Sequence, residues 1–221
     1  MPYKQSQYAG GYSYKKPRPI SVPETDLIHQ LAGPLTYWDR GLYLSCYLTA
    51  GRISEVLQLK RNHVNKTEID GDLVLNVTLH TLKNRLEKVR IIPIQMDIGK
   101  PATGAEYTIA QEFEKFIEEQ PLDEPIFTIS RTNAVNRFKK ITFLADAIHG
   151  DKILENYTFH VTPHLLRHVR LTHLVQLYHM DQRPELLRRY AGWSSMLPAT
   201  QYIHMSTASL ARQLKRGGTN D

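Results

Sequence analysis

The sequence predicts a mostly helical α+β fold with one small antiparallel β-sheet. Three observations carry that prediction. Apolar residues recur at helical spacing over most of the chain. Two neighbouring runs, Leu73–Leu79 and Val89–Ile94, are rich in strand-forming residues. Strands do not alternate with helices, and no glycine-rich phosphate loop follows a strand, which excludes a doubly wound parallel sheet. The 221 residues are 41% hydrophobic and 23% charged, so wholesale disorder is excluded and a sizeable core needs neither disulfides nor metal. Cys46 is the single cysteine, which excludes an internal disulfide framework and any cysteine-rich metal site. No apolar run approaches a membrane span and no signal-peptide core is present, so a soluble, intracellular protein is expected.

Taken in order, residues 1–22 carry four positive charges, no negative ones and almost no aliphatic core formers. They read as an extended basic arm or linker, disordered when alone. Leu27, Ile28 and Leu31 form a short helical face that ends at Gly33. A second helix is expected from Leu35 to Thr49, with Trp38, Leu42, Tyr43 and Cys46 on one side. Gly51 breaks it, and Ile53–Lys60 resume as another helix. The two strands follow, joined by the polar stretch Lys83 to Lys88. Helices are then expected near 105–119, 131–148, 163–179, 184–191 and 206–215.

The net charge of +6 is unevenly spread. Residues 106–124 hold seven acids against the one base Lys115, a net −6, leaving +12 for the rest of the chain. A basic body with one acidic helix offers a positive face to a polyanion, although a well-solvated basic surface has the same composition.

Three segments could carry chemistry. In Thr162-Pro163-His164-Leu165-Leu166-Arg167-His168, Thr162 can cap a helix whose first turn begins at Pro163. His164 and Arg167 then share a face at the helix N-terminus, where an imidazole and a guanidinium suit a phosphate; an ordinary surface pair has the same spacing. Histidines 164, 168 and 173 also raise a metal site, but no carboxylate or thiolate stands at a supporting spacing. In Thr49-Ala50-Gly51-Arg52-Ile53-Ser54-Glu55, the Glu55 carboxylate lies one turn beyond Arg52 and can hold its guanidinium toward an external anion. The bland alternative is an i,i+3 surface ion pair. The third segment runs from Tyr190 through Gly192 and Trp193 to Tyr202.

TAGRISEVLQL, TPHLLRH and AGWSS followed by Tyr202 together resemble the three sequence boxes of the tyrosine recombinases, the phage-integrase family, over roughly residues 23–215. The resemblance implies a helical catalytic domain, related to that of type IB topoisomerases, over residues 23–205. Residues 1–22 would be an arm and 206–221 a C-terminal helix and tail. By the same resemblance Arg52 and Arg167 clamp the scissile phosphate, with Glu55 supporting Arg52. His164 hydrogen-bonds or exchanges protons there, and Trp193 donates its indole N–H or packs the tyrosine helix. Tyr202 is then the nucleophile that joins to DNA. The family's hairpin lysine would be Lys83. The spacing before Arg90 and Pro93 is about two residues longer than usual, which leaves Lys88 or Arg85 as alternatives.

The implied activity is site-specific recombination of double-stranded DNA through a 3′-phosphotyrosyl intermediate, with no ATP, cofactor or metal. Relaxation of DNA by a topoisomerase-like enzyme, or a non-catalytic DNA-binding regulator, are the alternatives. Most of the family carry an N-terminal clamp domain, whereas about twenty residues precede the catalytic segment here; an excised catalytic domain and a single-domain enzyme using its Tyr/Lys arm both fit that length. Leu210, Ala211 and Leu214 share a face that the resemblance docks on a neighbouring protomer. The expected assembly is a DNA-bound tetramer formed from a largely monomeric free protein. Its place would be the cytoplasm or nucleoid, or a host cell if the gene is viral.

Overall fold

In the computed structural model, residues 29, 32–33, 35–83, 86–96, 104–149, 161–177, 179–200 and 202–203 are described. In chain order they form α1 (Tyr37–Thr49), the single turn α2 (Ile53–Val56), and strands β1 (Val64–Ile69), β2 (Asp72–Lys83) and β3 (Leu86–Gln95). Then come α3 (Gly104–Glu118), α4 (Arg131–His149), α5 (Pro163–Leu177) and α6 (Pro184–Ala191). Short 3-10 turns at Arg61–His63 and Met180–Gln182 join their neighbours. The fold class is as expected: helices around one small antiparallel sheet.

The Thr36 hydroxyl caps α1 by accepting the Asp39 N–H at 3.3 Å, and Ala50 closes the helix in the left-handed region. From Gly41 to Ala50 every residue is buried, so α1 is the central helix. It packs against α5 and α3. A Cβ at Gly41 would sit inside the Phe116 ring of α3, which is why the two helices approach so closely there. Asp39, buried at the start of α1, takes Arg137 (2.5 Å) and Lys140 (3.0 Å) from α4.

The sheet has the order β1-β2-β3, antiparallel throughout. Asp70 and Gly71 both have positive φ in a two-residue turn, a combination Asp-Gly adopts readily. Leu75, Val77 and Leu79 of β2 and Ile92 and Ile94 of β3 face the core, while Val89 and Ile91 lie exposed on the other side. Pro93 is tolerated because β3 is an edge strand.

The structure corrects several boundaries. The helix expected over Ile53–Lys60 is one turn, Ile53–Val56. After it a turn at 57–58 leads out of the helix, and the chain is held by the Ile126 N–H on the Leu59 carbonyl (2.9 Å) and the bridge of Lys60 to Pro125. Strand β1 was not foreseen: five of its six residues are exposed, so no buried alternation marks it. The hairpin connection is shorter than Lys83–Lys88, since Lys83 pairs with Leu86. Helix α5 stops two residues early, and His179 beyond it is left-handed. The arm 1–22, most of the helix expected before Gly33 and the segment 206–221 lie outside the described residues.

The acidic stretch falls on α3 and the turn after it, and part of its charge is spent within the chain. Glu112 takes Arg40 at 2.8 Å and Glu114 takes Lys66 at 2.7 Å.

Candidate active site

Two of the predicted segments meet at the N-terminus of α2. The Glu55 carboxylate reaches back one turn to accept the Arg52 backbone N–H (2.8 Å) and guanidinium (2.7 Å), which caps the helix and fixes the arginine together. Glu55 is almost wholly buried, whereas the Arg52 side chain remains 41% exposed. Two further donors complete the carboxylate: the Thr81 hydroxyl of β2 at 2.5 Å and Arg90 of β3 at 2.5 Å. Burial alone would raise the Glu55 pKa; the Arg90 charge and the hydrogen bonds from Thr81 and Arg52 outweigh it and hold the group at about 2.

Arg90 was missed as a site residue. It also donates to the Tyr190 carbonyl, and its Nε is buried without a hydrogen-bond partner. The signal for it was present: Arg90 is in phase with Ile92 and Ile94, so strand alternation turns it inward. A Cβ on Gly192 would come within 2.9 Å of Arg90 Cδ, and Gly192 has φ 66°, so glycine is required there twice over.

At the start of α5, the Thr162 hydroxyl caps the helix as foreseen, accepting the Leu165 N–H at 3.1 Å, and Pro163 opens it. Arg167 points into the protein. It is 5% exposed and donates to the Ala50 carbonyl (2.5 Å) and the Ala191 carbonyl (2.6 Å). Burial, then the charges of Arg90 and Arg52, lower its pKa to about 10, so it stays protonated at neutral pH. His164 is exposed, and its pKa is lowered by partial burial and by Arg167 and Arg52.

Tyr202 belongs to the same cluster. Helical backbone at 197–200 and 202–203 returns it to α5, where it is 5% exposed. Its hydroxyl is hydrogen-bonded to Nδ1 of His168, and the two rings stack at 5.6 Å and 21°. Trp193 lies 5.4 Å from the Tyr202 ring, with Arg167 5.9 Å from the indole centroid. Burial pushes the phenol up to about 12 against the opposing pull of Arg167. His168 Nε2 is in turn 2.9 Å from His164 Nε2. His173, the third histidine of the segment, is buried apart from these and hydrogen-bonds Tyr47 at 3.1 Å. Among the described residues no group of three or more metal-ligating side chains is placed to hold an ion.

Arg52 and Trp193 also line an open cleft with Lys88, Arg90, Arg188 and Arg189. Its apolar wall includes Val89, Ile91 and Leu186. Lys83 ends β2 two residues beyond Thr81; its side chain, and Arg85 entirely, lie outside the described residues. Lys88 pairs with Thr81 across the hairpin, so it shares the sheet face of Thr81 and Arg90 and opens on the cleft. The structure thus brings Arg52, Glu55, His164, Arg167, Trp193 and Tyr202 together, and adds Thr81, Arg90 and His168, which were not singled out for the site. In the sequence His168 reads only as a potential metal ligand.

The fold is shared with solved recombinase structures. One is the XerH site-specific recombinase bound to a palindromic difH substrate, with a TM-score of 0.62 and 18% identity over 95% of this chain and 55% of that one. Another is a lambda integrase dimer bound to a COC′ core site, with a TM-score of 0.54 and 15% identity over 84% of this chain and 47% of that one. The phage integrase family model matches residues 24–209, and the chain belongs to that family. Among relatives, it is 25% identical over 196 residues to the tyrosine recombinase XerD of Chlamydia trachomatis serovar D, covering 87% of this chain and 55% of the relative. The XerD of Chlamydia muridarum is 26% identical over 175 residues, covering 78% of this chain and 50% of the relative. The chain spans about half the length of these relatives. No helix among the described residues is long and apolar enough to cross a membrane.

Proposed function

We propose that the chain is a site-specific DNA recombinase that cleaves and rejoins strands through a 3′-phosphotyrosyl bond on Tyr202. The observation that carries this reading is the convergence of a buried phenol with Arg52, Arg167, His164 and Trp193. These residues come from three separate stretches of sequence. The phenol itself touches the His168 imidazole and feels the Arg167 charge, surroundings that packing alone does not call for.

In this mechanism the Tyr202 oxygen attacks a backbone phosphorus and the bond to the 5′ oxygen breaks. Negative charge grows on the non-bridging oxygens, and fixed guanidiniums stabilise it most where water is excluded. Arg52 is half-exposed and rigidly held by Glu55, which suits direct contact with a phosphate. Arg167 contributes its fixed charge from behind and positions the Ala50 and Ala191 carbonyls that frame the site. The departing 5′ oxygen takes its proton from a hairpin lysine, either Lys83 or Lys88. Attack by a 5′ hydroxyl from a partner strand reverses the sequence, so the phosphodiester energy is conserved and no nucleotide is consumed.

The duplex would lie across the basic cleft and the site, with residues 1–22 as an additional basic arm and residues 206–221 linking protomers on DNA. Incubation with nicked suicide duplexes tiled from the encoding genome tests the reading. A covalent adduct that maps to Tyr202 and leads to exchange between two duplexes is the expected result. Relaxation of supercoils without exchange would point to a topoisomerase, and binding without an adduct to a regulator.

A further inference from the structure

Tyr202 is followed by a chain of two imidazoles. The phenolic oxygen touches Nδ1 of His168, and Nε2 of the same ring touches Nε2 of His164 at 2.9 Å. With the His168 ring neutral, two proton arrangements satisfy both contacts: either the phenol donates to Nδ1 and His168 donates onward to His164, or every donor is reversed. The first is favoured because Tyr202 is 5% exposed and has no second acceptor for its proton among the described residues. The stacking of Tyr202 on His168 holds the phenol and imidazole in register, and the T-shaped contact of His168 with His164 (4.4 Å, 88°) carries the line toward solvent.

Resting on the function proposed above, we propose that His168 is a catalytic residue of strand cleavage. Its Nδ1 takes the phenolic proton as the Tyr202 oxygen bonds to phosphorus, and its Nε2 passes a proton to His164. The balance is closed. The O–H bond of Tyr202 breaks, the oxygen–phosphorus bond forms, and His164 ends as an imidazolium. The departing 5′ oxygen is protonated separately, by the hairpin lysine. Rejoining runs the relay backward and returns the proton to the phenol.

The charges around the pair suit this role. His164 and Arg167 act on His168 from α5, Arg52 acts on His164 from the start of α2, and Tyr202 faces His168 from the helical stretch beyond Trp193. Burial, His164 and Arg167 hold the His168 pKa at about 4, so the free protein presents a neutral acceptor across the physiological range. An arriving phosphate brings negative charge, which offsets Arg167 and Arg52 and raises the basicity of both imidazoles at the moment of attack.

The test has two arms on the full chain. By nitrogen-15 NMR of the free protein, His168 should be neutral at pH 7 with its hydrogen on Nε2, and Tyr202→Phe should shift its Nδ1 signal. A hydrogen on Nδ1 overturns the relay whatever the activity. In single-turnover cleavage of nicked suicide duplexes, His168→Asn and His168→Phe should lose about 10²–10⁴-fold in rate while duplex binding holds. Their residual rate should climb with pH into the alkaline range, where the phenol must ionise unaided. A loss of rate with an unchanged pH profile assigns His168 a packing role and overturns the proposal, as does wild-type cleavage. A wild-type chain that forms no Tyr202 adduct overturns the function itself and the relay with it, and that outcome is distinct from an adduct indifferent to His168.

Discussion

Around Glu55 the site is built from formal charges, and around Tyr202 from neutral rings. Glu55 gathers Arg52, Thr81 and Arg90 within hydrogen-bond distance, and burial makes each of those contacts strong and each omission costly. Tyr202 is held by a stacked imidazole and an indole, with its proton retained by burial. The first region is rigid and its protonation does not change near neutrality. The second has a proton to give away. On the function proposed above, phosphate binding and proton transfer would be handled by different physical means in the two regions.

Four experiments can break or sharpen that contrast, beginning with the largest effect. Tyr202→Phe should abolish the covalent adduct and leave duplex affinity nearly unchanged, as read by denaturing gels and equilibrium binding. An adduct surviving on Tyr190 would remove Tyr202 from the role. Glu55→Ala should cost about 3–5 kcal/mol of stability in denaturant unfolding, because it leaves the largely buried Arg90 without its carboxylate. A cost near that of a surface ion pair would show that Glu55 is not the centre of its region.

The hairpin comes next. Of Lys83→Ala and Lys88→Ala, the variant that removes the general acid should slow cleavage and be restored by a 5′-bridging phosphorothiolate, whose sulfur departs without a proton. Lys88 pairs with Thr81 and lines the cleft, and Lys83 lies two residues beyond Thr81 on β2, so both stay candidates. Rescue confined to one variant assigns the acid, and rescue of neither removes the hairpin lysine from the role. The smallest effect is on acid stability. The Glu55 pKa is depressed, so its contribution is present above its ordinary value of 4.5 and is lost as pH falls through about 2. Glu55→Gln should therefore flatten the fall in stability across that interval, measured by thermal unfolding at successive pH values.

Much of this was legible in the amino-acid sequence. Thr162 and Pro163 announce α5 through local chemistry, and the Arg52–Glu55 spacing announces their pairing, because both depend on neighbours within one turn. Strand β1 escaped because an exposed edge strand such as Val64–Ile69 shows no alternation of burial. The helix after Arg52 was overextended because a pairing with residues 125–126, far along the chain, ends it. Arg90 and Thr81 could be turned inward by strand periodicity, but only the folded chain brings them onto Glu55. His168 was hidden for a different reason: its partner lies 34 residues on, and a histidine beside an arginine box reads as an extension of that box.

Arg52 and Arg90 both act on Arg167, and Glu55 is the carboxylate close to all three. Three guanidiniums against one carboxylate leave surplus positive charge that the folded chain tolerates at a cost. By mass action, an oxyanion that relieves that repulsion must also make the protein harder to melt. Sulfate or inorganic phosphate should raise the melting temperature more than chloride at matched ionic strength, and Arg52→Ala should shrink the difference. A heat-stability screen against simple salts would then report on the proposed phosphate-binding residues before any target DNA sequence is known.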